Sequence, residues 1–478
     1  MKKGNLKMTG IVCLVCVLTA MVFCSCGPNN QSNTVVTTEA SGTGTPDVTT
    51  GAASTEAQKT EPVNLRFMDV VPNPERTAQL QKMVDSFNAQ SDGVTAVLES
   101  TPWEDAHQKM VTLGATNNMP DTFIMHQQWY AEFINAGWVS KMDEYYNVYK
   151  HKEDLIPYVR DVLIDFDQSQ AYGGVYGIPD GISVHAMFVR SDWIEAAGLT
   201  LDDLETWEGV FSAAEKINIP GQNQYGFTYR GARLGGEQMG MYVMGELNGE
   251  LYDDQGNCLL NTPTGKEAIK RYTDLYLNGF APKDSVNWGY ADMVQGFTSG
   301  LTGIMNQTNQ VVATCRTSME DGTWTTIPFP RSSDGNIYAK ADSFVYAIGS
   351  DSKNPKEAFD FIGHMVSPDL NREFCKTTLY IPVMTGAESD PDFSEGAMSG
   401  FFRGINDPTF VREPYYGYFP ELGEFMETVY DAEIQKYLLG QQSLDELCDH
   451  LAGFLTEKQQ AYMASDPNAQ IPRPISIK

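Results

Sequence analysis

The chain has 478 residues, 42% of them hydrophobic, and its 62 acidic side chains outnumber 33 basic ones to give a formal charge of -29 at pH 7. A surface that acidic repels phosphate backbones and anionic headgroups, which excludes nucleic acid as a partner. The length allows two lobes, each with a substantial core.

Lys2, Lys3 and Lys7 open the chain, an apolar run follows from Ile11 to Phe23, and small residues surround Cys26. Positive, then apolar, then small is the order of a secretory leader. A membrane-spanning helix needs roughly 20 apolar residues, and this run is shorter and passes directly into polar sequence. Phe23-Cys24-Ser25-Cys26 resembles the bacterial lipoprotein signal, with Phe23 standing where that signal usually has leucine. The resemblance makes Cys26 the lipidated first residue of the mature chain, joined to the membrane by a pair of acyl chains that anchors stably where one would not. The other reading is a secreted protein cut at a nearby small residue. Loss of the leader removes three lysines and no acids, so the mature chain is more acidic still.

Gly27 to Pro62 is rich in Thr, Ser, Gly and Ala. It has too little apolar surface to offset chain entropy and reads as a disordered tether with a reach of roughly 30 to 35 Å. The CxxC at Cys13 and Cys16 lies in the leader and is neither a redox nor a zinc motif. Cys258, Cys315, Cys375 and Cys448 remain, far apart in sequence, with three possible pairings; free, buried thiols are the expectation for a domain this large.

The folded body begins with a strand at Val63–Met68, which ends at Asp69 and a Pro-rich turn. Leu80, Met83, Val84 and Phe87 then recur at helical spacing. A strand from Val94 and a helix around Trp103 repeat the pattern, and strand-helix-strand-helix predicts a mainly parallel α/β sheet. Further on, Ser191 or Asp192 caps a short helix that Gly198 ends. Thr206 caps one whose Trp207, Val210, Phe211, Ala214 and Ile217 share a face, which makes Trp207 a core residue. Asp254-Gln255-Gly256 is a hairpin turn, and Pro263 and Gly279 bracket another helix.

The succession "LQKMVDSFNAQ", "WEDAHQKMVTLGATNNMPDTF", "WYAEFINAGWVSKMDEY" and "YGGVYGIPDGISVHAMFVRSDWIEAAGL", followed by "LETWEGVFSAAEKI", "YGFTYRGARLGG", "GFTSGLTGIMN" and "SDSKNPKEAFDFIGHMVSPDLNREF", resembles the extracellular sugar-binding proteins of ABC importers, solute-binding family 1. The resemblance implies an α/β, two-lobed periplasmic-binding-protein-like fold with a hinge and an interlobe ligand cleft. It implies crossings near Gly181 to His185, Lys340 to Ser343 and Leu379 to Pro382. Lobe one then covers residues 63–182 plus 343–379, and lobe two residues 183–342 plus 380–478. It also implies a carbohydrate ligand, ABC permease subunits as partners, a monomer and no cofactor.

A sugar offers hydroxyls at its rim and an apolar face, so its binders combine carboxylates, amides and arginine with aromatic rings. Trp129, beside Gln128, follows a strand and either faces the cleft or packs under the next helix. Trp288 sits in a polar setting before a helix. Asp69 ends the first strand, where open α/β sheets present ligand contacts. Asp342 stands on a predicted crossing strand where the family more often has glycine, as a ligand contact or as half of a salt bridge across the hinge. Tyr229, Arg230 and Arg233 lie in a glycine-rich segment able to approach a ligand; an arginine in the cleft implies an acidic sugar, and the alternative is pairing with a surface acid. His185 lies at the first crossing, and Asn309 and Tyr415 come from segments near the cleft in the family.

A search for catalytic patterns finds no HExxH, GxSxG or GxxxxGK[ST], and the histidines at 107, 126, 151, 185, 364 and 450 have no metal-ligand spacing. Paired carboxylates for glycoside hydrolysis are not local in sequence, so that alternative stays open beside a receptor for a non-sugar solute. The resemblance favours a binding protein over an enzyme.

Overall fold

The computed structural model describes residues 62–387, 389–412, 416–465 and 469–476. Cys26 with its leader and tether, and Tyr415, lie outside the described residues. Among the described residues the first sheet contains β1 (Val63–Asp69), β2 (Val94–Ser100), β3 (Thr122–His126), β4 (Gly177–Pro179) and β11 (Phe344–Ile348), in the order β2-β1-β3-β11-β4. The second contains β5 (Ser183–Val189), β6 (Tyr225–Phe227), β7 (Thr302–Thr308), β8 (Thr325–Ile327) and β10 (Ala341–Asp342), in the order β10-β5-β7-β6 with β8 also on β5. A small third sheet joins β9 (Ile337–Ala339), β12 (Phe410–Arg412) and β13 (Ile475–Ser476).

Every residue of β3 and of β5 is buried, as expected of near-continuous apolar strands covered on both faces. Helix 74–90 starts where Asn73 accepts from the Arg76 N–H at 2.8 Å and Pro74 presets the first turn. Its buried Leu80, Met83, Val84 and Phe87 stripe packs on the sheet, with Phe87 edge-on to Phe361. Trp207 is buried among Phe211, Tyr242 and Phe329, and Thr206 accepts from the Gly209 N–H at that helix's start. The four described cysteines are buried and form no disulfide.

The mainly parallel sheet expected from the strand-helix rhythm is present only in part. β2, β1 and β3 run parallel, as do β6 and β7, whereas β11 is antiparallel to both β3 and β4 and β5 is antiparallel to β7, β8 and β10. β11 enters its sheet directly from β10 rather than through a covering helix, so nothing forces it to run with its neighbours.

The chain passes from β4 to β5, and so from one sheet to the other, over Asp180 to Ile182, and returns at Ser343 between β10 and β11. Ile182 and Ile381 exchange backbone hydrogen bonds of 2.9 and 3.0 Å alongside. Gly181 is glycine because a Cβ there would lie 2.6 Å from that of Tyr380. Buried side chains clasp these segments: Tyr158 donates to the Ala341 carbonyl at 2.7 Å, Gln127 accepts from the Ser343 N–H at 3.0 Å, and Asn371 donates to the Asp180 carbonyl at 2.7 Å.

At the crossing, Arg76 Nε donates to Asp69 at 3.1 Å and its Nη2 donates to Asp180 at 2.9 Å, all three side chains being 2% exposed or less. The guanidinium also lies over the Phe374 ring at 5.0 Å. One cation between two carboxylates leaves a surplus negative charge, and burial, more than Arg76 offsets, pushes the Asp180 carboxyl up to about 6. Arg76→Met, which leaves both carboxylates buried without their cation, is expected to lower stability by about 3 to 5 kcal/mol in denaturant unfolding. Asp180 titrates near 6 folded and near 3.9 unfolded, so the folded state holds the extra proton between those values. Its contribution is therefore complete below about pH 4 and is lost as pH rises through 6, by up to about 3 kcal/mol. Comparing unfolding free energies from pH 4 to 7, Asp180→Asn is expected to flatten that decline.

Candidate functional site

The carboxyl ends of β2 and β3, the N-terminus of helix 235–246 and the crossing strands converge on one seam. Trp103 opens helix 103–115 just after β2, and its indole stacks on Trp129 with centroids 5.5 Å apart and planes 6° from parallel. His126, the last residue of β3, lies 5.5 Å from Trp103 and 4.8 Å from Phe344 at the start of β11, and Phe344 meets Trp103 edge-on at 5.7 Å. Trp129 is buried beneath this group, whereas Trp103 keeps 42% of its surface exposed. The result is an aromatic cluster that presents one partly exposed indole, with a polar border.

The border is a chain of charges. Lys340 is ion-paired with Glu237 and with Asp342, the latter at 3.0 Å, and Asp342 lies 3.9 Å from His126 Nε2. Burial works against each charge, but the Lys340 ammonium is held well above its ordinary range by Asp342 and Glu237, and both carboxyls are held below theirs chiefly by Lys340. Burial pushes His126 down to about 4, further than Asp342 can restore, and lowers His185 as well, so both imidazoles are neutral at pH 7. His185 Nδ1 is 2.7 Å from Asn306 Oδ1 on the neighbouring β7. The seam therefore offers neutral rings, a carboxylate pair and an ammonium, a set that can both donate to and accept from hydroxyls.

Of the residues singled out in the sequence, Trp129, His185 and Asp342 come together here, with exposed Gln128 in the turn beside Trp129. Arg230 stands next to Glu237, its charge disfavoured mainly by burial. Others are placed differently. Asp69 is committed to Arg76 inside the first sheet's core. Tyr229 is buried between Tyr272 and Tyr276, 5.7 Å from each. Trp288 is 8% exposed, donates to Asp284 at 3.3 Å and fills the space a Cβ on Gly296 would need. Asn309 accepts from the Val184 N–H at 3.0 Å and donates to the Ile182 and Leu379 carbonyls, so its whole amide is spent on clasping the crossing. Arg233 is exposed. The glycines around it serve packing rather than ligand approach: a Cβ on Gly231 or Gly235 would strike the Val286 or Arg230 carbonyl, and one on Gly236 the Tyr430 ring.

Sequence reasoning missed Trp103, His126, Glu237 and Lys340. A signal existed for the first two, since both sit at the carboxyl ends of parallel strands, where open sheets present their ligands. Nothing local marks Glu237 and Lys340, which are 103 residues apart.

Two sheets joined by chain crossings beside a polar and aromatic seam define the two-lobed binding-protein fold, with its hinge at the crossings. The model of the bacterial extracellular solute-binding protein family matches residues 72–371, and the chain belongs to that family. A binding protein of Brucella abortus is 23% identical over 310 residues, 63% of this chain and 72% of that protein. In fold, the chain is similar to the sugar-binding protein MalE of Xanthomonas citri, with a TM-score of 0.72 and 18% identity over 84% of this chain and all of that one. It is likewise similar to the GacH receptor of Streptomyces glaucescens, whose structures include a complex with acarbose, with a TM-score of 0.69 and 19% identity over 83% and 98% of the two chains.

Proposed function

We propose that this chain is a lipid-anchored extracellular receptor that captures a carbohydrate, an oligosaccharide, between its lobes and delivers it to the permease of an ABC importer. The observation that carries the reading is the Trp103–Trp129 stack, which presents one partly exposed indole beside the Lys340, Asp342 and Glu237 group. An indole face suits the apolar face of a sugar ring, and the adjoining charged and neutral polar groups suit its hydroxyls. The binding of sugar by MalE and of acarbose by GacH supports the same ligand class for this fold.

The proposed lobes are residues 63–182 plus 343–379 and residues 183–342 plus 380–478. In support, the seam draws Trp103, His126 and Trp129 from elements of the first sheet and His185, Asn306 and Glu237 from elements around the second. A ligand favours the closed state only by the contacts it gains there, so a site fed from both lobes couples capture to closure. A monomer tethered through Cys26 then presents the closed, loaded form to the permease.

A thermal-shift screen of residues 62–478 tests the reading. An oligosaccharide at 100 times its dissociation constant is expected to add about 2.7 kcal/mol of stability, and Trp103→Ala to raise Kd roughly tenfold, about 1.4 kcal/mol, without unfolding the chain. Shifts with polyamines or peptides alone, or sugar binding indifferent to Trp103, would overturn it; product released from a glycan would make the protein an enzyme. For the anchor, Cys26→Ala is expected to move the protein from the membrane fraction to the medium of the expressing bacterium.

A further inference from the structure

Arg230 is sheltered and has no acid of its own. Its Nε is buried without an acceptor, and its Nη2 donates to the backbone carbonyl of Arg233. The carboxylates that act on it are Glu237 and Asp431, and both are occupied. Glu237 holds Lys340, while Asp431 accepts from the Leu234 N–H at 2.6 Å and the Gly236 N–H at 2.9 Å. Among the described residues no ion pair reaches Arg230, in a chain where acids outnumber bases 62 to 33. A buried donor left unmet is costly.

Its surroundings are also arranged. Arg233 and Leu234 both hold left-handed backbone, with φ of 49° and 72°, a conformation that costs a non-glycine residue and keeps Arg233 out of the helix beginning at Gly235. The Arg233 stem lies against Gly289, where a Cβ would approach its Cδ at 3.3 Å. The next residue, Tyr290, opens helix 290–298 and is half exposed as a residue, while burial, partly offset by Arg230, raises its hydroxyl. Two arginines with no ion pair among the described residues thus lie beside a half-exposed tyrosine, and Glu237 links Arg230 to the seam.

We infer that the ligand carries a carboxylate: it is an acidic oligosaccharide, one of whose uronic-acid units is received by Arg230 and Arg233 with its ring against Tyr290. The inference rests on the carbohydrate reading and narrows it. A guanidinium fork pairs with a carboxylate through two parallel hydrogen bonds, which meets the orphaned Nε–H with an ionic acceptor. Hydroxyls of a neutral sugar would meet that N–H without the ion pair.

Calorimetric titration of residues 62–478 with trimers of galacturonate, glucuronate and mannuronate, their methyl esters, and the matching neutral trimers tests this. At least one acidic trimer is expected to bind roughly tenfold or more tighter than its ester, with Arg230→Gln abolishing that preference and Arg230→Lys restoring part of it. Arg233→Gln, at an exposed position, is expected to weaken the acid and spare the ester, and it keeps the test decisive if Arg230→Gln does not fold. Equal or tighter binding of esters or neutral trimers, unchanged in Arg233→Gln, overturns the inference and leaves the carbohydrate reading standing. Failure of every carbohydrate to bind overturns both.

Discussion

Arg76 holds together three pieces of chain that the sequence keeps apart: the end of β1 through Asp69, the first turn of helix 74–90 on which it sits, and the crossing to the second sheet through Asp180. Buried charges are tolerated only where geometry compensates them, so the positions of all three pieces are coupled. The second-sheet part of the candidate site is placed by that crossing. β5 leaves it with His185, β10 and β11 return beside it with Asp342 and Phe344, and Asn309 pins it from β7's far end. Side chains from elements of both sheets thus clasp the crossing.

The seam shows the same economy. Lys340 stands between Glu237 from one helix and Asp342 from its own crossing segment, and the two histidines are kept neutral by burial. Such a group is polar enough to recognise a solute yet internally paired, so it remains tolerable with the site empty. Trp103 supplies the apolar part on a rigid support, because its ring is backed by Trp129 and flanked by His126 and Phe344. Arg230 departs from this economy, since its buried Nε–H meets no acceptor.

Much of the architecture was legible in the residues. The strand at Val63, the amphipathic helix with Leu80, Met83 and Phe87, the Thr206-capped helix and the buried Trp207 all follow local rules of period and capping. Of the candidate site, the sequence offered only residues whose type was unusual for their place, as with Asp342 on a crossing strand, Trp129 after β3 and the arginines beside a helix start. Asp69 and Asn309 were singled out for their positions and turned out to hold the scaffold, because a carboxylate or amide at a strand end serves a crossing as readily as a ligand.

The sequence by itself determined the elements, the order in which they alternate and the class of fold they build, since those depend on contacts between near neighbours. Only the tertiary structure decided which polar groups are consumed in pairs and which are left unmet. That distinction depends on partners over 100 residues away, such as Lys340 for Glu237 and Arg76 for Asp180, and on the burial that makes an unpaired Arg230 costly. No local pattern encodes such partners, because a side chain's charge is visible in the sequence but its surroundings are not.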